Sequence, residues 1–232
     1  MSDAHDYPFK THPYAHQLKG FMDSRDKRYY GLLLEMGTGK TKLAIDTTGW
    51  LYSRGEVNGL LVVAPKSICS NWATKEIPTH LPDHIQRRVV LWGADTKKLT
   101  QQLELLGQVE PLALHVLVMN IEALNSERGY LAARKFLVGH QAMMVVDEST
   151  TIKNYKADRT KIVTKLGREA RYRRIMTGTP VTQSPLDVFS QFEFLQQGSL
   201  GSSSFYGFRN QYAVLRKRYV NGRSFDEVVG YQ

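Results

Sequence analysis

One stretch constrains this chain more than any other: Leu32-Leu33-Leu34-Glu35-Met36-Gly37-Thr38-Gly39-Lys40-Thr41, an apolar run that breaks into spaced glycines and then into a Lys-Thr pair. Gly37 and Gly39 reach positive φ at little steric cost, so consecutive backbone N–H groups can turn inward around an oxyanion. Lys40 adds a point charge and Thr41 offers a hydroxyl suited to Mg²⁺, and Gly37, Thr38, Gly39, Lys40 and Thr41 are together assigned to binding the nucleotide. A helix starting near Lys40 aims its unsatisfied amides and positive dipole end at the same place. The stretch reads as a phosphate-binding loop. It departs from the full pattern G-x-x-x-x-G-K-[ST], because Leu34 stands where the first glycine belongs. A strand-to-helix turn that needs glycines for geometry alone is the competing reading, and the rest of the chain decides between them.

The run from Tyr29 to Glu35 has the continuous apolarity of a buried parallel strand feeding that loop. Five further strands are expected at Gly59–Pro65, Arg87–Trp92, His115–Asn120, Ala142–Val146 and Arg173–Met176. Helical spacing is expected around Tyr14–Phe21, Lys40–Tyr52, Ile68–Thr79 with Trp72 and Ile77 inward, Lys97–Leu106, Tyr130–Val138, Ala157–Leu166 and Pro185–Leu195. Alternation at this cadence predicts an α/β fold, a doubly wound, mostly parallel sheet with helices on both faces. The Gly/Ser-rich Gly198–Ser204 reads as a loop. Beyond it, Arg216–Val220 and Arg223–Phe225 flank Asn221-Gly222, the signature of a short basic β-hairpin with a two-residue turn.

Composition excludes several classes. No apolar stretch approaches the roughly 18 residues of a membrane span, and the first residues lack a signal pattern; a cytoplasmic location is expected, or a nuclear one in a eukaryote. A lone cysteine, Cys69, excludes an internal disulfide framework and a multi-cysteine metal knuckle, and is expected as a packed thiol. The net charge of +9 points to a polyanionic partner. Between Lys153 and Arg174, nine lysines and arginines are opposed only by Asp158 and Glu169, so this stretch is expected to face nucleic acid or to follow a segment that does.

Ligands on open parallel sheets sit at the carboxyl ends of strands. Three suspicious groups fall there: the loop at Gly37, the pair Asp147-Glu148, and Thr177-Gly178-Thr179. An acidic pair after an apolar strand suits phosphoryl transfer to water, with one carboxylate on Mg²⁺ and the next accepting a proton from the attacking water. Asp147 is assigned to the metal together with Thr41, and Glu148 to the base.

The ordered set Glu35 to Thr41, Ala64-Pro65-Lys66-Ser67 with Asn71-Trp72 and Glu76, Asp147-Glu148, Ile152-Lys153-Asn154, and Thr177-Gly178-Thr179-Pro180 resembles superfamily two helicases. The Asn-Trp pair, Ile-Lys-Asn, and Leu200-Gly201 before Phe205 are similar to the Swi/Snf-type translocase branch. The resemblance implies a RecA-like P-loop NTPase lobe with ATP and Mg²⁺ at the loop, Lys40 and Glu148 acting in catalysis. It implies that Gln17 reads adenine, that Lys66 and Ser67 meet a DNA backbone phosphate, and that Thr177, Gly178 and Thr179 couple nucleotide to nucleic acid. Lys153, Asn154 and Lys156 are further candidates for backbone contact. Departures are Leu34 for aspartate, Thr38 for leucine, Thr150 for histidine in the acidic motif, and Ile121-Glu122 for Tyr-Glu; such drift is similar to phage or bacterial members.

The expectation is a single RecA-like lobe over residues 1–232, with an N-terminal segment at 7–22, a core at 29–195, and an extension with the hairpin at 196–232. The second lobe and its arginine cannot be placed in this sequence. The expected function is the ATP-binding lobe of a translocase on duplex DNA, RNA remaining open, with a second RecA-like lobe in cis as partner and little turnover alone. A non-catalytic nucleic-acid or protein binding module is the alternative. A small-molecule kinase is disfavoured, because Thr-Gly-Thr-Pro at a late strand end has no role there.

Overall fold

Residues 7–93, 113–220 and 222–232 are described by the computed structural model. The helix expected over Lys97–Leu106 lies outside them, as does Asn221. A short helix, α1 (Ala15–Ser24), leads into β1 (Tyr29–Leu33), the glycine loop and α2 (Lys40–Ser53). Next come β2 (Gly59–Ala64), then α3 (Lys66–Asn71), a π turn (Trp72–Glu76) and α4 (Ile77–His80), which run on as one helical segment, then β3 (Arg87–Leu91). β4 (Leu114–Asn120) is followed by α5 (Glu127–Gly139) and β5 (Ala142–Asp147); α6 (Asp158–Gly167) leads to β6 (Tyr172–Thr177).

The six strands form one parallel sheet in the order β1-β6-β5-β2-β4-β3. Its alternation builds two cores. Leu60, Val62 and Ala64 of β2 face α1, α2 and the Trp72 segment, whereas Leu61 and Val63 face α5 and α6. The doubly wound expectation therefore holds, and β2 and β5 are buried along their whole length. Because β1, β6 and β5 are neighbours in the sheet, the three loops singled out in the sequence leave it side by side.

The expected helix over Pro185–Leu195 opens instead as a 3₁₀ turn, Pro185–Asp187, before α7 (Val188–Leu195). Ser184 caps that turn, its hydroxyl accepting from the Leu186 N–H. A helix without an expectation follows, α8 (Phe205–Tyr212), in the segment after the Gly198–Ser204 loop. The hairpin consists of β7 (Ala213–Val220) and β8 (Arg223–Tyr231), with Val220 paired to Arg223 and two positions between them. It docks through Val228 against Leu186, Phe189 and Phe208. Among the described residues no helix is long and apolar enough to cross a membrane.

The basic stretch from Lys153 to Arg174 is not exposed throughout, so its last residues do not belong to a surface that could face nucleic acid. Lys156, Arg159, Lys161, Lys165 and Arg168 are exposed. Arg171 pairs with Glu56, and Arg173 lies 4.2 Å over the Tyr29 ring and donates to Phe194 O. Arg174 is fully buried and donates to the carbonyls of Ser24, Lys27, Arg28 and Arg173. The physical reason is position: these arginines sit on or beside β6, which lies between β1 and β5, where Arg173 and Arg174 serve backbone acceptors and Arg171 a carboxylate. Cys69 is buried as expected.

Within α2, Asp46 is buried and accepts from Lys42 Nζ at 2.7 Å, while its other oxygen has no partner. Burial pushes its carboxyl up from 3.8 to about 6, with Lys42 pulling the other way. A raised acid stabilises the fold fully below its unfolded value and loses that contribution as pH rises through the folded one. Holding the carboxyl that far up corresponds to roughly 3 kcal/mol. Asp46→Asn removes this dependence. In urea unfolding at pH 4 and pH 7, the stability of the native chain relative to Asp46→Asn is expected to fall by about 2 to 3 kcal/mol over that interval.

Candidate nucleotide site

The glycine loop opens onto a cleft of about 720 Å³ that Glu76, His80, Asp147 and Glu148 also line. Gly37 and Gly39 have φ of 78° and 85°, and α2 starts at Lys40 with Gly39 as its N-cap, as the sequence leads one to expect. The Lys40 ammonium folds back over the loop and donates to Leu34 O at 2.8 Å and Glu35 O at 2.9 Å. Thr38 Oγ1 donates to Glu35 O at 2.7 Å and closes the turn from within.

Gln17 touches this loop directly. Its Nε2 donates to Thr38 O at 3.0 Å, and its Oε1 accepts from Tyr14 N at 3.0 Å. Both ends of the amide are thus engaged inside the chain, where they fix the loop to α1. A Cβ on Gly39 would stand 2.2 Å from Gln17 Nε2, on top of the cost of about 1 to 2 kcal/mol that a side chain incurs in the left-handed region. Gly39→Ala is therefore expected to break the Gln17–Thr38 contact and to weaken nucleotide binding at least tenfold, read by titration with a fluorescent ATP analogue against thermal melting of the same variant.

Asp147 is buried, and each of its oxygens accepts one hydrogen bond: Oδ2 from Trp72 Nε1 at 2.8 Å, Oδ1 from Glu148 N at 2.9 Å. Burial pushes its carboxyl above the ordinary carboxylate range, while the Trp72 and Glu148 N–H groups and the charge of Lys40 pull it back. Glu148 sits at φ 49°, ψ 59°, the one non-glycine residue with positive φ among those described. Backbone held in this region costs about 1 to 3 kcal/mol and gathers at working sites.

No group of three or more His, Cys, Asp or Glu side chains that could cage a metal occurs among the described residues. One carboxylate and one hydroxyl, Asp147 and Thr41, both lining the cleft, fit Mg²⁺. That ion keeps waters and takes other ligands from phosphate oxygens.

Thr177 and Gly178 lie against the glycine loop. Thr177 pairs with Leu33 in the sheet and its hydroxyl accepts from Thr179 N at 3.2 Å; a Cβ on Gly178 would stand 3.3 Å from Met36 N. The candidates for nucleic-acid contact divide. Lys66, Ser67, Asn154 and Lys156 are exposed. Lys153 donates to Thr182 Oγ1 and lies 3.7 Å from the Asp187 carboxylate, and Asn154 Oδ1 accepts from Lys156 N to shape its own loop.

One residue of the site had no signal in the sequence. Gln191, fully buried on α7, accepts from Ser149 Oγ at 2.6 Å and donates to Pro180 O and Asp187 O at 2.8 and 2.9 Å. It joins the segment after Asp147-Glu148 to the segment after Thr177–Thr179. Its only mark in the sequence is polarity amid Phe189, Phe192, Phe194 and Leu195.

Residues 14–221 match the family model of the SNF2-related domain. A chromatin-remodeling ATPase INO80 of Sclerotinia sclerotiorum is 31% identical over 191 residues, which are 78% of this chain and 10% of that protein. An uncharacterized ATP-dependent helicase of Mycoplasma genitalium is 27% identical over 206 residues, 88% of this chain and 18% of the other. Among solved structures, the Sulfolobus solfataricus SWI2/SNF2 ATPase core in complex with dsDNA is similar with a TM-score of 0.68 and 24% identity, over 89% of this chain and 40% of that one. The chain thus spans less than a fifth of these curated relatives and two fifths of the solved core.

Proposed function

Because the chain belongs to the SNF2-related family, we propose that it is the ATP-binding lobe of a DNA-dependent ATPase that moves along duplex DNA. The observation that carries this is the convergence of three loops from adjacent strand ends, with Lys40, Asp147 and Glu148 lining one cleft. The intact Lys40 and Glu148 favour catalysis over a role confined to binding.

In this reading, Gly37 to Thr41 and the first amides of α2 receive the ATP phosphates. The Lys40 ammonium exchanges the Leu34 and Glu35 carbonyls for phosphate oxygens. Asp147 and Thr41 hold Mg²⁺, which supplies positive charge to the transferring phosphoryl group when bound. Glu148 accepts the proton of the attacking water. Gln17, already seated on Thr38, presents the α1 end of the cleft to the base. Thr177 to Thr179, against Met36, relay the state of the site to the exposed Lys66, Ser67 and Lys156, which meet backbone phosphates without reading bases. A second lobe supplies the arginine that stabilises the transferring charge, worth about 10³ to 10⁵ in rate, so this lobe alone turns over little.

The test is direct. The chain is expected to bind a fluorescent ATP analogue in Mg²⁺, to lose that binding in Lys40→Ala, and to bind duplex DNA with a log–log salt slope of about −2 to −3, as two or three phosphate contacts require. Absence of both nucleotide and DNA binding overturns the reading.

A further inference from the structure

The helical segment that begins at Lys66 contains one π turn, closed by Ile77 N donating to Trp72 O five residues back. Such turns are rare, and they gather at functional sites because the extra residue re-aims a side chain. Here the turn begins at Trp72, which is 1% exposed and whose indole N–H reaches Asp147 Oδ2 across 75 residues of sequence. A buried indole N–H needs an acceptor, and backbone carbonyls commonly serve. This one takes a carboxylate oxygen of a residue that lines the cleft. Since Oδ1 is held by Glu148 N, the carboxylate cannot rotate without losing a bond, and each oxygen keeps a free lone pair.

We propose that Trp72 is a positioning residue for the Mg²⁺ that accompanies ATP, fixing the plane of the Asp147 carboxylate through its indole N–H. The proposal rests on the assignment of Asp147 to the metal. Trp72 is almost fully buried at the edge of the cleft, beside Asp147, and its one polar group is spent on that carboxylate. Its effect passes entirely through Asp147, so it belongs to the magnesium-dependent part of nucleotide binding and not to the part supplied by Gly37 to Lys40.

Trp72→Phe keeps the ring and deletes the donor. Binding of a fluorescent AMP-PNP is measured in excess Mg²⁺, in EDTA, and across a Mg²⁺ titration. Loss of an outer hydrogen bond to a metal ligand costs about 10- to 100-fold in metal affinity. The Mg²⁺ half-saturation point is therefore expected to rise by that factor while affinity in EDTA stays within about twofold of the native chain. In an Asp147→Asn background the same change is expected to have no further effect on Mg²⁺ dependence. Equal weakening in Mg²⁺ and EDTA, or an unchanged Mg²⁺ titration, overturns the proposal. A native chain that binds no nucleotide at all overturns the functional reading instead. Should Trp72→Phe fail to fold, the native protein still decides. Of its three indole N–H resonances, that of Trp72 is expected to shift with AMP-PNP and Mg²⁺ and to stay in place with AMP-PNP and EDTA. An identical response in the two conditions overturns the proposal.

Discussion

Glu148→Gln is expected to lower ATP hydrolysis by about 10² to 10⁴-fold while leaving ATP affinity within a few-fold, the range for loss of a general base. The measurement is single-turnover hydrolysis in the longest natural chain that carries this lobe, with DNA present, beside equilibrium binding of the same nucleotide. The backbone at Glu148 adds a second, opposite-signed readout. At φ 49° the residue is strained, so Glu148→Gly is expected to relieve that strain and to raise stability by about 1 kcal/mol even as it abolishes turnover. A variant that is more stable and inactive separates a carboxylate held for chemistry from one that merely caps a loop. If Glu148→Gly destabilises the lobe, or Glu148→Gln hydrolyses at the native rate, the assignment of the base is wrong.

Arg174→Met is expected to cost about 3 to 5 kcal/mol, a large share of the roughly 5 to 15 kcal/mol that holds a domain together. The side chain donates to Ser24 O at the C-terminal end of α1, and to the carbonyls of Lys27, Arg28 and Arg173. Ser24 O sits where the dipole of α1 is negative, which favours a cation without a carboxylate partner. Burial lowers its pKa to about 10, so it remains charged at neutral pH. Removing it deletes four hydrogen bonds from a charged donor, each worth about 1.5 to 3 kcal/mol, although Ser24 O and Arg28 O keep backbone N–H partners in Lys27 and Arg173. Arg174→Lys is expected to rescue little, since an ammonium cannot span acceptors that a planar fork reaches together. Urea unfolding of the three proteins gives the comparison; a loss below about 1 kcal/mol for the methionine variant would show that the charge is dispensable.

Periodicity and glycine placement made the sheet legible before any coordinates, because a strand buried on both faces has no polar alternation to confuse and Gly37 and Gly39 mark the one turn that demands positive φ. The acidic pair was legible for a similar reason, standing at the abrupt end of Ala142–Val146. What stayed hidden depends on contacts distant in sequence. Arg173 and Arg174 look like their exposed neighbours until β6 takes its place inside the sheet. Gln191 acts through hydrogen bonds to Ser149, Pro180 and Asp187, and Trp72 through one to Asp147, which no spacing rule encodes. α8 escaped because Phe205 to Tyr212 buries only Phe208 fully, leaving little apolar period to read.

β6 has a mechanical consequence that follows from two of its residues. Arg174 grips the C-terminal end of α1, whose Gln17 holds the glycine loop at Thr38; Thr177, three positions along the same strand, runs beside Leu33, with Gly178 against Met36. Strand, helix and loop therefore form a closed ring of contacts. The Thr177 end of β6 is thereby joined to the glycine loop twice, once directly at Leu33 and Met36 and once through α1 at Thr38, so a shift of that strand would bear on both sides of the loop.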